Sequence, residues 1–266
     1  GRRLEDHWPQ RTGDIGEGMS VRPAAALALS AFALIAQSAQ PSASRIARPS
    51  CTVAIDVGHS DARPGSVSAR GVKEHVFNVA IARLVLAALR DRGDRASFII
   101  DPDTPGALPG RAAAATAGHA DLLISIHHDS VQPKYLLKWR YEGRDLLYSD
   151  RFAGYSVFFS DRNPRSGESL RLAKKIGELL HSYGLHPTLH HAEPIPGESR
   201  DLVDRRLGIY VYPELALLKS AAVPAVLIEC GVIVNRQEEQ RLTTREYRER
   251  LARAIASGIR GYCDSR

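Results

Sequence analysis

The chain has 266 residues, of which 44% are hydrophobic and 25% charged, a composition typical of a globular protein with one large or two small domains. Its net charge of +6 is scattered along the chain, without the long Lys or Arg runs of a basic arm. These features exclude a nucleic-acid-binding arm, so we expect no nucleic acid among its partners.

The N-terminal segment has the layout of a secretory signal peptide. Met19, the only methionine, is followed by the positive Arg22, by the apolar residues 24–36 and then by small residues. The apolar stretch is shorter than the roughly 20 residues that an ordinary membrane span needs. We therefore predict a cleaved signal peptide at 19–44, with residues 1–18 as a tag or an overlong start. A membrane anchor and a chance Ala-rich helix stay open as alternatives.

From residue 51 onward, short apolar segments alternate with segments of helical periodicity. The predicted strands lie at 52–57, 96–100, 122–126, 155–159 and 225–229. The predicted helices lie at 73–92, 108–119, 167–183 and 237–262. Two polar segments, 131–152 and 186–212, interrupt the alternation, and we expect both to be long surface loops, either functional or simply solvated.

Alternation of this kind, with strands apolar on both faces, indicates an α/β fold. We predict one domain over 51–266, with a mostly parallel twisted sheet and helices on both of its faces. In such an open sheet, ligands bind beyond the carboxyl ends of the strands. A functional site is therefore expected along that edge.

The three cysteines show neither a CxxC pair nor a zinc-finger spacing. Cys51 begins the first predicted strand and Cys263 follows the last predicted helix, so both should lie at the edge of the sheet away from the site. Domain termini are often close together, and an exported protein would meet an oxidising compartment. We predict a Cys51–Cys263 disulfide and a free, buried Cys230.

Polar side chains gather where the predicted strands end. His59 follows the first strand, the stretch SIHHDS at 125–130 places His127 at the end of the third, and Glu229 ends the last. Glu74 opens the first long helix and so lies at the same edge. Two imidazoles and a carboxylate are typical of a catalytic zinc site, whose fourth position is open to water, with a further Glu as general base. Taken singly, each residue is more simply explained as a hydrogen-bonding or helix-dipole partner.

Other chemistry fits the SIHHDS stretch less well. Ser125 would lie inside a strand, without the sharp Gly-x-Ser-x-Gly turn of an activated nucleophile. No HExxH sequence is present, which excludes a helix-borne zinc site of the thermolysin kind. His127 and His128 are adjacent and should point to opposite sides of an extended segment, so only one of them should face a metal.

Four ordered motifs resemble the zinc-dependent N-acetylmuramoyl-L-alanine amidases of the amidase type 3 family. They are IDVGH at 55–59 with Pro64 and Gly65, GVKE at 71–74 with Asn78, ADLLISIH at 120–127, and PAVLIECG at 224–231 with Asn235. The resemblance covers most of 51–262. It implies an enzyme that hydrolyses the amide between the lactyl group of N-acetylmuramic acid and the L-alanine of the stem peptide in peptidoglycan.

The resemblance also implies roles for individual residues. It makes His59, Glu74 and His127 the ligands of one Zn²⁺ ion per chain. Glu229 becomes the catalytic base. The residues that we expect to contact substrate are Asn78, Arg111, His128, His190 and His191. The chain departs from the family pattern outside this metal shell, at Arg63, 100–103 and Thr116.

An exported amidase is therefore the leading hypothesis, acting in cell-wall remodelling, daughter-cell separation or lysis. Its location would be the periplasm or the extracellular space. Two alternatives stay open: a zinc exopeptidase of related fold, and a non-catalytic wall-binding homologue. We expect a monomer with peptidoglycan as its partner, and an activator protein of unknown identity stays open as a second partner.

Overall fold

A computed structural model describes residues 51–102 and 110–266, and the predicted segments 1–18 and 19–44 lie outside them. In chain order, the strands are β1 (Thr52–Val57), β2 (Arg95–Phe98), β3 (Leu122–Asp129), β4 (Leu137–Tyr141), β5 (Arg144–Tyr148), β6 (Ser156–Phe159), β7 (Asp201–Asp204), β8 (Ile209–Val211) and β9 (Ala225–Val232). The α-helices are α1 (Glu74–Arg90), α2 (Arg111–Ala117), α3 (Ser166–Ser182), α4 (Ala216–Ser220), α5 (Arg236–Thr243) and α6 (Arg245–Cys263). Each of the five predicted strands has a counterpart, with boundaries that shift by a few residues.

Seven strands form one sheet in the order β2-β1-β3-β9-β6-β8-β7. The strands β2, β1, β3 and β9 are mutually parallel, β6 and β8 run the opposite way, and β7 is antiparallel to β8. The mostly parallel α/β sheet is therefore confirmed. Because β2 and β3 lie on opposite sides of β1, the strand order reverses between β1 and β3. Ligand sites form at such a point, outside the carboxyl ends of the strands.

The sheet separates two hydrophobic clusters. On one face, alternate residues of the central strands, such as Val53, Ile124 and Ile228, are fully buried and pack in a cluster with α1, α3 and α6. The opposite face has a smaller cluster around Phe158 and Leu218, the latter from the short α4, which contacts α2. Helices lie on both faces, but the three long ones share one face. Within the described ranges, no helix is both long enough and apolar enough to cross a membrane.

The prediction of a surface loop at 131–152 is wrong. There β4 and β5 form an antiparallel hairpin joined by Glu142 and Gly143, both with positive φ, which matches the twist of two-residue hairpins. Trp139 anchors the hairpin by donating from Nε1 to the Ala69 carbonyl oxygen at 2.9 Å. The two strands stay exposed or half-buried throughout, so their sequence lacks the apolar alternation that would reveal them.

Two further boundaries differ from the sequence prediction. The loop expected at 186–212 contains β7 and β8, which extend the sheet at its edge. The single helix expected at 237–262 is two helices, separated by Thr244 in an extended conformation with φ −79° and ψ 140°. The Thr244 side chain accepts a hydrogen bond from the Tyr247 amide, and Asn235 caps α5 in the same manner. Side-chain oxygens of this kind favour a new helix start over continuation.

Cys51 and Cys263 form a disulfide with their Cα atoms 6.1 Å apart, which confirms the predicted pairing. Cys51 precedes β1 and Cys263 ends α6, so the bond joins two points separated by 212 residues in the chain. Cys230 is free and buried, as predicted. A bridge that closes so long a loop stabilises the folded state by roughly 5 kcal/mol in the chain-entropy model.

Removal of this bridge should destabilise the protein. The Cys51→Ser/Cys263→Ser variant should lose up to about 5 kcal/mol of unfolding free energy, because its unfolded chain regains conformational freedom. Guanidinium denaturation followed by circular dichroism measures the loss. Cys230→Ala is the control, because it removes a thiol but keeps the disulfide. Its unfolding free energy should fall on addition of a reductant by as much as that of the wild type. If the double variant has the same unfolding free energy as the oxidised wild type, this account is contradicted.

Candidate metal centre

His59, Glu74 and His127 come together at the carboxyl edge of β1 and β3. His59 lies two residues beyond β1, Glu74 is the first residue of α1, and His127 lies within β3. Glu74 stands between the two imidazoles: its Oε2 is 3.1 Å from His59 Nε2, and its Oε1 is 3.1 Å from His127 Nδ1. The two rings are 5.0 Å apart at an angle of 73°. The donor atoms of the three side chains are close enough together to share one metal ion.

Two glycines make room for this arrangement. A Cβ atom on Gly58 would lie 2.5 Å from His127 Cε1, and one on Gly65 would collide with the Glu74 carboxylate. His59 itself has a φ of 65°, a left-handed conformation that is uncommon for a residue with a side chain. Such a conformation persists only where the surrounding structure holds it in place.

Arg111 supplies that support, and its expected contact with substrate stays a prediction. Its guanidinium donates to Asp56 Oδ1, Val57 O and His59 O, each at 2.8 Å. Asp56 in turn accepts a hydrogen bond from Ser125 Oγ in β3. Arg111 therefore fixes the end of β1 and the turn at His59, and its donors are directed into the protein.

Asn78 and His128, which were also expected to contact substrate, are buried behind Glu74. The Asn78 amide donates to Gly58 O at 3.1 Å and to Glu74 Oε1 at 3.2 Å, and its Oδ1 lies 2.7 Å from His128 Nδ1. Their exposed fractions are 0% and 2%, and the Asn78 amide orients the Glu74 carboxylate, while His128 also borders the cleft. Their contact with substrate stays a prediction. Burial lowers the pKa of His128 to about 3, which keeps its imidazole neutral. His127 faces Glu74 from the other side of β3, as strand alternation predicts.

The surroundings of Glu74 favour its ionised form. Burial by itself raises the pKa of this carboxyl, but hydrogen bonds and charge interactions with His127 and His59 outweigh burial and hold the pKa well below its usual range. The Ser66 amide donates a further hydrogen bond to Oε2 at 3.0 Å. An ionised carboxylate between two imidazoles is a donor set that Zn²⁺ and similar divalent metals accept.

Glu229 lies beside this donor set in β9, where it pairs in register with His127 of β3. Its Oε2 atom is buried and has no hydrogen-bond partner among the described residues. Burial raises the pKa of Glu229 well above its usual range, and repulsion from Asp129 and Glu74 adds to the effect. Glu229 lines the same open cleft as His59, Glu74 and His127.

His190 and His191 belong to a second group, built around Asp129. Asp129 lies two residues after His127, and its Oδ2 is 2.9 Å from His191 Nε2. Burial by itself lowers the pKa of His191, but Asp129 and Glu198 outweigh burial and raise it to about 9. Both histidines are buried, and His191 borders a cavity that Glu229 also lines. Their contact with substrate stays a prediction.

Sequence reasoning missed two residues of this second group. Strand alternation gave a usable signal for Asp129, because residues two apart in a strand share a face and His127 was already a candidate. Glu198 gave no such signal, since it lies outside regular secondary structure and reaches Asp129 only through His191.

A family model described as N-acetylmuramoyl-L-alanine amidase matches residues 53–261. Among known relatives, the amidase AmiA of Salmonella typhimurium is 28% identical over 223 residues, which is 79% of this chain and 75% of the relative. The probable amidase AmiB of Haemophilus influenzae is 27% identical over 236 residues, which is 78% of this chain and 51% of that longer protein. This chain therefore spans about half the length of the second relative.

Solved structures show the same fold. The Ami1 amidase of Mycobacterium smegmatis superposes with a TM-score of 0.65 at 24% identity, covering 82% of this chain and 99% of that one. The catalytic domain of the CwlV amidase from Bacillus (Paenibacillus) polymyxa var. colistinus gives a TM-score of 0.61 at 25% identity, covering 81% and 99%. The sheet with its flanking helices is thus an arrangement shared with amidase catalytic domains.

Substitution of either cleft-facing imidazole should empty this centre. His59→Ala or His127→Ala should each lower the metal content by one ion per chain, because each deletes a donor atom. His128→Ala is the matched control: it removes an imidazole one residue away, on the opposite face of β3, and should leave the metal content unchanged. Plasma mass spectrometry of the purified variants makes the comparison. Metal lost from His128→Ala and kept in His127→Ala would reverse the roles of the two imidazoles.

Proposed function

The chain belongs to the N-acetylmuramoyl-L-alanine amidase family, and from that membership we propose that its site hydrolyses the amide between N-acetylmuramic acid and L-alanine in peptidoglycan. The proposed cofactor is one Zn²⁺ ion, held by His59, Glu74 and His127. The observation that carries the proposal is the position of Glu229, which lines the same cleft as those three donors and whose Oε2 atom has no hydrogen-bond partner among the described residues.

The donor set suits zinc better than a harder ion. Imidazole nitrogens and a carboxylate are common zinc ligands, whereas Mg²⁺ and Ca²⁺ prefer oxygen ligands throughout. When bound by three protein ligands, Zn²⁺ polarises a carbonyl group and lowers the pKa of a bound water to about 7. Asn78 and the Ser66 amide each hold one Glu74 oxygen, so the carboxylate is oriented before any ligand arrives.

Proton transfer is the role that we assign to Glu229. Its carboxylate accepts the proton of the attacking water and passes it to the nitrogen of the departing L-alanine. Burial raises the pKa of Glu229, which favours the protonated form needed to protonate the leaving nitrogen. A divalent ion held by His59, Glu74 and His127 would favour the ionised form of Glu229 that accepts the first proton. These opposing influences suit a group that must first gain a proton and then release it.

The two alternative functions receive less support. A zinc exopeptidase of related fold is disfavoured by the family match, which runs through nearly the whole of the described domain. A non-catalytic wall-binding homologue would typically lack a donor or the base, but here all four residues are present and line one cleft. We propose that the enzyme acts as a monomer, with peptidoglycan as its partner, in wall remodelling, cell separation or lysis.

Export to the periplasm or the extracellular space is also proposed, in line with a cell-wall substrate. The Cys51–Cys263 bond supports this location, because disulfides persist in oxidising compartments. Amino-terminal sequencing of protein from a periplasmic or secreted fraction should find cleavage between Ala36 and Ser44. A chain that still carries Met19 and is found only in the cytosol would defeat the proposal.

Digestion of purified peptidoglycan tests the reaction itself. Hydrolysis of the proposed amide should release stem peptides with free L-alanine amino termini, which mass spectrometry identifies directly. New termini elsewhere in the stem peptide would indicate a peptidase. Binding to peptidoglycan without any new terminus would indicate a non-catalytic protein. Either of these two outcomes contradicts the proposed activity.

Glu229→Gln separates catalysis from metal binding. The amide keeps the size of the side chain but cannot act as a base, so turnover should fall by roughly 10²–10⁴, the usual contribution of general acid–base catalysis. The fold and the metal content should be preserved. Glu178→Gln, a matched change on the exposed side of α3, should keep full activity. If Glu229→Gln also loses its metal, Glu229 is a ligand, and the base must be sought elsewhere.

A further inference from the structure

The second polar cluster, Asp129 with His190 and His191, is not explained by the proposed reaction. Asp129 ends β3, whereas the two histidines lie in the 3-10 turn His190–Ala192 of the segment 186–200 that precedes β7. This cluster is therefore assembled from parts of the chain about 60 residues apart, as a functional site often is.

Both imidazoles direct the same nitrogen at the same carboxylate oxygen. His191 Nε2 lies 2.9 Å from Asp129 Oδ2, and His190 Nε2 lies 3.3 Å from that atom. The centroids of the two rings are 4.0 Å apart. His190 Nε2 is fully enclosed and makes no hydrogen bond to any described residue, despite its proximity to the carboxylate. Buried polar atoms rarely stay unpaired, so this nitrogen needs a partner.

The other ring nitrogens are already held. Thr188 Oγ1 lies 2.8 Å from His190 Nδ1, and Glu198 Oε2 lies 2.9 Å from His191 Nδ1. Glu198 is itself held by the Gln132 amide at 2.8 Å. Metal-binding histidines usually donate their second ring N–H to an acceptor of this kind, which fixes the ring and leaves the other nitrogen free for the metal.

A divalent ion would neutralise the charges of this cluster more completely than the protein groups do alone. Asp129 and Glu198 bring two carboxylates into a space where each residue is only 9% exposed. A protonated His191 between them offsets one of these charges and leaves His190 Nε2 without a partner. A divalent ion at Asp129 offsets both charges and gives that nitrogen a bond. Buried charges are tolerated when they are paired or bound to metals.

Aromatic side chains enclose the cluster. Phe152 stacks on His190 with ring centroids 4.9 Å apart, and Phe158 meets His191 edge-on at the same distance. Tyr210 contacts His191 from another direction. These rings limit the access of solvent to the cluster, as the hydrophobic shell around a metal site does.

We propose that Asp129, His190 and His191 bind a second divalent transition-metal ion, with Zn²⁺ as the expected species, which fastens the segment 186–200 to the end of β3. Two imidazoles and a carboxylate match the ligand preferences of Zn²⁺. The same segment carries Glu198, which lines the cleft beside Glu229, so the ion also fixes one wall of that cleft.

Zinc stoichiometry tests this site independently of enzyme activity. The wild-type protein is freed of metal with a chelator, equilibrated with excess ZnCl₂ and exchanged into metal-free buffer before plasma mass spectrometry. We expect two zinc ions per chain in the wild type and one in His190→Ala. His59→Ala should also retain one, and the double variant His59→Ala/His190→Ala should retain none. His186→Ala, an exposed histidine of the same segment, is the matched control and should retain two.

The possible outcomes test the two metal sites separately. If the saturated wild type holds a single zinc ion, this proposal is overturned and the first centre is left intact. That measurement uses only the wild-type protein and so does not depend on the folding of any variant. Two ions in both the wild type and a folded His190→Ala variant would also overturn it. Loss of one zinc ion from His59→Ala relative to the wild type tests the first centre separately. Circular dichroism of each variant confirms that it is folded before its zinc is counted.

Discussion

The buried Glu74 carboxylate between His59 and His127 is the interaction on which the rest of the site depends. A carboxylate is costly to bury unless it is paired, and here each oxygen faces one imidazole nitrogen at 3.1 Å. Other residues serve this contact, since Gly58 and Gly65 leave the space and Asn78 holds the carboxylate from behind. Because α1 begins at Glu74, the helix fixes the carboxylate against the edge of the sheet.

The topology explains why these residues meet. The reversal of strand order between β1 and β3 opens a crevice at their carboxyl ends, and β9 lies next to β3, so Glu229 falls beside His127. The three long helices pack against one face of the sheet, and α1 among them brings Glu74 to the cleft. At the far edge, the Cys51–Cys263 bond ties the first strand to the last helix, away from the metal chemistry.

Sequence reasoning succeeded where a local pattern determined the result. Apolar runs located the central strands, and strand alternation predicted that His127 and His128 point to opposite sides of β3, while the choice of His127 as the ligand came from the family resemblance. It failed at the hairpin within 131–152, whose exposed strands lack an apolar alternation, and at the short edge strands β7 and β8. The support that Arg111 gives to the His59 carbonyl was not predicted, because it joins residues 52 positions apart in the chain, which no local pattern reveals. Glu198 was hidden for the same reason, because its contact with His191 lies outside regular secondary structure.

Anomalous diffraction on either side of the zinc absorption edge, from crystals of the purified protein, tests the central arrangement most directly. The account predicts a zinc peak bonded to His59 Nε2, one Glu74 oxygen and His127 Nδ1 at roughly 2.0–2.2 Å, with the Glu229 carboxyl group nearby but not bonded. A zinc-saturated crystal with no peak between these three residues would contradict it. So would a peak in which Glu229 replaces Glu74 as the carboxylate ligand.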